Sequence, residues 1–147
     1  MKLRRPRRPQ QFRLADSAQQ TVGGFLLAGP FVVTEEVWVL AENMPLRQAL
    51  AIVAIVFAIG YAALYKADTT RDADDEQEVV GIPIRFISLM IVTFGSVTVL
   101  ALLFGAPETF LGAEATDHRA VITFKAISVG AVFSVVGAAT ADSIFAK

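Results

Sequence analysis

Five ionisable side chains fall inside long hydrophobic runs of this chain: Glu35 and Glu36, Arg85, Lys125 and Asp142. In an apolar surrounding each costs a few kcal/mol unless a partner or a wet cavity receives it, so such groups mark ion sites, proton relays or buried ion pairs. Adjacent residues on a helix point about 100° apart, so Glu35 and Glu36 cannot both meet one partner. One can pair with a lysine while the other faces a subunit interface or a cavity. A desolvated carboxylate of that kind suits a proton or a cation. Gly29-Pro30 lies just before them. Proline removes one backbone hydrogen bond and displaces the Leu26 carbonyl, which predicts a kink near the middle of the run. A kink with a freed carbonyl next to a carboxylate is one way in which transporters line an ion site. Thr34, Glu35 and Glu36 are therefore the candidate ion-binding group, with Gly29 and Pro30 as the bend.

The elements that must position these groups are helices. The chain has 147 residues, 54% of them hydrophobic and 18% charged, with no cysteine. That composition argues against a disordered chain, a disulfide scaffold and an ordinary soluble domain. Apolar runs fall at 21–41, 46–65, 81–105 and 120–146. Each approaches or exceeds the about 20 residues that cross a hydrocarbon core. Backbone groups in lipid must be satisfied within their own segment, so the runs are expected to be helices. The expected architecture is an all-α, polytopic, four-helix membrane bundle in a single domain, 21–147, after a basic tail, 1–20.

Thirteen basic residues against 14 acidic ones leave a near-neutral chain, but the charges are segregated. The N-terminus carries Lys2, Arg4, Arg5, Arg7 and Arg8, and the middle loop carries Asp72, Asp74, Asp75, Glu76 and Glu78. The first apolar run is too long for a signal-peptide core and no small-residue cleavage site follows it, so the tail reads as a retained segment. With four alternating helices the N-tail, middle loop and C-terminus share one side, which holds most of the Lys and Arg. The positive-inside rule then puts both termini in the cytoplasm of a cell-membrane protein.

Alternation also sets depth. Glu35 and Glu36 fall about 6–8 Å beyond the centre of the first helix. Lys125 falls in the same half of the bilayer, while Arg85 and Asp142 fall near the opposite face. Opposite charges are thus expected to meet as Glu35 or Glu36 with Lys125, and Arg85 with Asp142. A ladder of Ala126, Gly130, Ser134, Ala138 and Asp142 recurs every four residues and permits close helix packing, within the bundle or between subunits. Trp38 reads as an aromatic-belt anchor at the interface, and Tyr61 and Tyr65 likewise. Ser88, Thr93, Ser96 and Thr98 read as hydroxyls bonded to their own backbone or to neighbours. His118 stands alone in a loop, and no metal motif, cofactor motif or catalytic set is legible. The chain reads as a non-enzyme without cofactor.

The run Pro30-Phe31-Val32-Val33-Thr34-Glu35-Glu36-Val37-Trp38 resembles a family of prokaryotic integral membrane proteins of unknown function. Its signature is Pro, three apolar residues, Thr, any residue, Glu, an apolar residue and Trp. Pro30, Thr34, Glu36 and Trp38 fit it. The resemblance implies that Glu36, rather than Glu35, is the inward-facing carboxylate. The arginine excess and the acidic loop also look like those of salt-adapted archaeal membrane proteins. Two functions follow from the residues. One is a homo-oligomeric channel or transporter for a proton or monovalent cation, with Glu36 binding the ion. The other is a non-catalytic assembly or regulatory subunit whose buried charges are structural ion pairs. The lipid bilayer is the expected partner in both, and nucleic acid in neither.

Overall fold

The structure is a computed structural model that describes residues 14–66, 78–112 and 118–145. The basic tail up to residue 13 and the acidic residues 72–77 lie outside the described residues. Six α-helices are present among the described residues: α1 (Leu14–Val32), α2 (Glu35–Asn43), α3 (Leu46–Tyr61), α4 (Ile84–Leu103), α5 (Ala106–Leu111) and α6 (Arg119–Phe145). A π-helical turn, Ala62–Lys66, prolongs α3, and the strands β1 (Glu78–Val79) and β2 (Ile82–Pro83) form a small hairpin before α4. Val80 and Gly81 turn it with positive φ, 53° and 78°. This is the twist that a two-residue hairpin turn requires, and glycine adopts it without a Cβ penalty.

Among the described residues three segments are long and apolar enough to cross a membrane as they stand: Leu46–Tyr65, Ile84–Leu103 and Arg119–Ile144. The fourth qualifies only when α1 and α2 are taken together, and these two are bent by 78°. The expected single helix over 21–41 is therefore two helices, and α1 begins inside what the sequence assigned to the tail. Alone, α1 is about 28 Å long, close to the about 30 Å of a hydrocarbon core. Its polar residues Asp16 and Gln20 are buried against other helices, which is how a helix of modest hydropathy sits among apolar ones.

Glycines set the spacing. α1 packs most extensively against α6. A Cβ on Gly23 would strike the Gly137 carbonyl oxygen, and one on Gly137 would strike that of Gly23. Such backbone approach is how small residues bring membrane helices together without a hydrophobic driving force. The whole ladder Ala126, Gly130, Ser134, Ala138 and Asp142 is buried, and a Cβ on Gly130 would lie 2.8 Å from Val97 on α4. The ladder thus packs inside the bundle. One apolar core lies where Ala28, Val32, Trp38, Val97, Ala101 and Ala126 meet. A second joins Val56, Leu64, Leu89 and Val135 around α3. Leu26, Leu50, Ile55, Ile91 and Leu103 are exposed, an apolar exterior suited to lipid.

Candidate functional site

Helical spacing brings polar residues of three helices to one place. Asp16 and Gln20 lie one turn apart on the inward face of α1, Arg85 and Ser88 on the first turns of α4, and Asp142 near the end of α6. Arg85 Nη1 donates to Asp142 Oδ1 at 2.7 Å and Arg85 Nη2 to Asp16 Oδ2 at 3.3 Å. Gln20 Nε2 donates to the same Asp142 oxygen at 3.3 Å. Ser88 Oγ donates to Gln20 Oε1 at 2.7 Å. That uses the one proton of Ser88, so Ser17, 2.8 Å away, is the donor in the Ser17–Ser88 bond. A continuous chain results: Ser17, Ser88, Gln20, Asp142, Arg85 and Asp16. The Asp142 side chain is fully buried and that of Arg85 nearly so. Charged hydrogen bonds in such a surrounding are strong, and leaving either partner alone there is costly.

Arg85 and Asp142, matched by depth in the sequence, are therefore in direct contact. Asp16, Ser17 and Gln20 belong with them, although sequence reasoning placed them in the tail. The signal was present: Asp16, Gln20, Gly24 and Ala28 recur every four residues and continue one helical face beyond the apolar run. Ser88 bonds to α1, as a hydroxyl serving a neighbour, and Thr98 bonds back to the Phe94 carbonyl at 2.7 Å.

Glu35, Glu36 and Lys125 are arranged differently from the expectation. Among the described residues no ion pair within 4 Å joins Lys125 to either glutamate. The reason is the break at Val33-Thr34. It starts a new helix whose inward face is taken by Val37, Trp38 and Ala41, so Glu35 and Glu36 are turned outward and exposed. They border an open groove of about 430 Å³ with Val39, Leu40 and Asn43. Lys125 is half-buried on α6.

The bend also lies elsewhere than expected. Pro30 is inside α1, which continues through it to Val32. Proline disturbs the helix on its N-terminal side, towards residue 26, whereas the break follows it. Thr34 Oγ1 donates to the Phe31 carbonyl at 2.8 Å, and Trp38 Nε1 donates to the Val32 carbonyl at 2.8 Å. Those carbonyls end a helix and need such donors. Trp38 is only 1% exposed and stacks on Phe110 of α5, so it is an internal brace rather than an interface anchor. Tyr61 is exposed and Tyr65 buried, their rings 5.0 Å apart. His118 is exposed, and among the described residues no three acidic or histidine side chains are grouped to hold a metal.

Among the described residues an apolar exterior, three helices long and apolar enough to cross a membrane, a bent pair that qualifies only when taken together, and a buried charged cluster define a polytopic helical membrane protein. The chain belongs to the family described as "Putative integral membrane protein (DUF2391)", whose model matches residues 4–142. No curated protein and no solved structure is a match for it.

Proposed function

We propose that the protein moves protons or monovalent cations across the cell membrane as a homo-oligomer, with both termini in the cytoplasm and no catalytic step. One observation carries this reading: Arg85 is shared between two carboxylates, Asp142 and Asp16, inside the bundle. Ionisable groups held at such cost mark ion paths and proton relays. Protonation of Asp142 would weaken its hold on Arg85 and leave the guanidinium with Asp16. The three helices would then have two arrangements that a proton or a cation selects between. Beyond the cluster the helices close on the apolar core around Val32, Val97 and Ala126. A path through one chain ends there, which favours completion at a contact between subunits, where the outward Glu35 and Glu36 and the groove they border would serve.

Full-length protein in liposomes loaded with a pH-sensitive dye, under an imposed potential, tests this. Wild type is expected to carry flux above protein-free vesicles, and Asp142→Asn to fall to their level. Equal flux in Asp142→Asn and wild type would remove the cluster from the path. Equal flux in Glu36→Gln would remove Glu36 from the path.

A second reading is favoured by the directness of the Arg85–Asp142 contact, 2.7 Å across α4 and α6. The cluster is then a clamp in an assembly or regulatory subunit. Folded wild type without flux, recovered from membranes in complex with another protein, would support that reading over transport.

A further inference from the structure

Hydroxyls on membrane helices usually return to their own backbone, one turn back. Thr21, Thr98 and Ser128 do so, donating to the carbonyls of Ser17, Phe94 and Phe124 at 2.7, 2.7 and 2.9 Å. Ser134 and Thr93 do not. Both are 0% exposed, and neither Ser134 Oγ nor Thr93 Oγ1 has a hydrogen-bond partner among the described residues.

Their surroundings explain what Ser134 faces. A Cβ built on Gly24 would lie 3.1 Å from Ser134 Oγ and 3.1 Å from Ser96 Oγ. Two hydroxyls, one from α6 and one from α4, therefore converge on the bare Cα of Gly24 on α1. Gly24 is one turn beyond Gln20, whose amide donates to Asp142. Thr93 lies on the same stretch of α4, one turn before Ser96. A buried hydroxyl without a partner is costly, and a polar site with two to four partners is where an internal water binds.

We propose that an internal water molecule binds between Ser96 and Ser134 beside Gly24, extending the Gln20–Asp142 network by a turn towards the middle of the bundle. The water supplies a donor to one hydroxyl and an acceptor to the other. Glycine at position 24 matters to this site, because an alanine methyl would lie 3.1 Å from both hydroxyls. The site stands on this geometry. Only its part in conduction, as the next step of the relay, rests on the transport reading.

The test is a high-resolution crystal structure of the full chain grown from a lipid mesophase, with Gly24→Ala beside wild type. Wild type is expected to show one water peak within hydrogen-bond reach of both Oγ atoms. Gly24→Ala is expected to lose that peak while the Arg85–Asp142 contact is kept. A wild-type structure with Ser134 Oγ bonded to the Gly130 carbonyl and no water would overturn the proposal. So would a peak with the many short oxygen contacts of a cation. Should Gly24→Ala not fold, Ser134→Ala serves instead, with water-to-serine magnetisation transfer in lipid as the readout; transfer unchanged at Ser96 would overturn the site. Proton flux on the same proteins separates the two ideas. Absent wild-type flux overturns transport and leaves the water site standing, and Asp142-dependent flux without the water does the reverse.

Discussion

The Arg85 guanidinium and the Asp142 carboxylate meet at 2.7 Å across the α4–α6 contact, with side-chain exposures of 7% and 0%. Gln20 adds a third group to the same Asp142 oxygen, so α1, α4 and α6 are tied at one point. Breaking such a tie from one side leaves a charge in an apolar surrounding.

Asp142→Ala is therefore expected to destabilise the folded protein by about 3–5 kcal/mol, the range for removing one partner of a buried pair. Adding Arg85→Leu takes the guanidinium from Asp16 as well, so the double variant is expected to be no more stable than Asp142→Ala. Unfolding by steric trapping in bicelles reads both variants. A double variant markedly more stable than Asp142→Ala would show that the Arg85–Asp16 bond contributes nothing.

Trp38 is the one tryptophan in the chain, so its fluorescence reports on the break directly. Its emission is expected to be that of a buried indole, unmoved by aqueous or lipid-borne quenchers. Trp38→Phe keeps a ring against Phe110 but loses the donor to the Val32 carbonyl, at a cost of about 1–3 kcal/mol. Strong quenching by a brominated lipid would place the ring at the surface and contradict the brace.

Two glycines should behave oppositely. Gly23→Ala puts a methyl into the Gly137 carbonyl and forces α1 from α6. Loss of folded protein in detergent extracts is the expected outcome. Gly95→Ala meets nothing within 4 Å and should be neutral, or stabilising by about 0.5–1 kcal/mol through reduced backbone entropy in the unfolded chain. Equal yields of the two variants would refute this packing.

Pro30→Ala should leave the bend between α1 and α2 in place, because the bonds from Thr34 and Trp38 hold the break beyond the proline. The chain has no cysteine, so paired spin labels can be placed at Val22 and Val39 without background. An unchanged distance distribution is expected. A shift towards the separation of a straight helix would return the bend to Pro30.

Hydrophobic run length and residue type determined by themselves that this is a helical membrane protein with four apolar segments. They also set which charges share a depth, because rise along a helix is fixed and alternation follows from the count. That is why Arg85 and Asp142 match in depth by sequence alone. Depth says nothing about the direction in which a side chain points once a helix breaks. Glu35 and Glu36 share a half of the bilayer with Lys125 on a straight helix; the 78° bend gave the inward face of α2 to Trp38 and turned both acids out. Nor does hydropathy show that a polar stretch is buried. Asp16 and Gln20 read as tail because their composition is hydrophilic. Only the packing of α1 against α4 and α6 supplied the arginine and the serine that make their burial affordable, since partners far apart in the chain meet only when the helices pack.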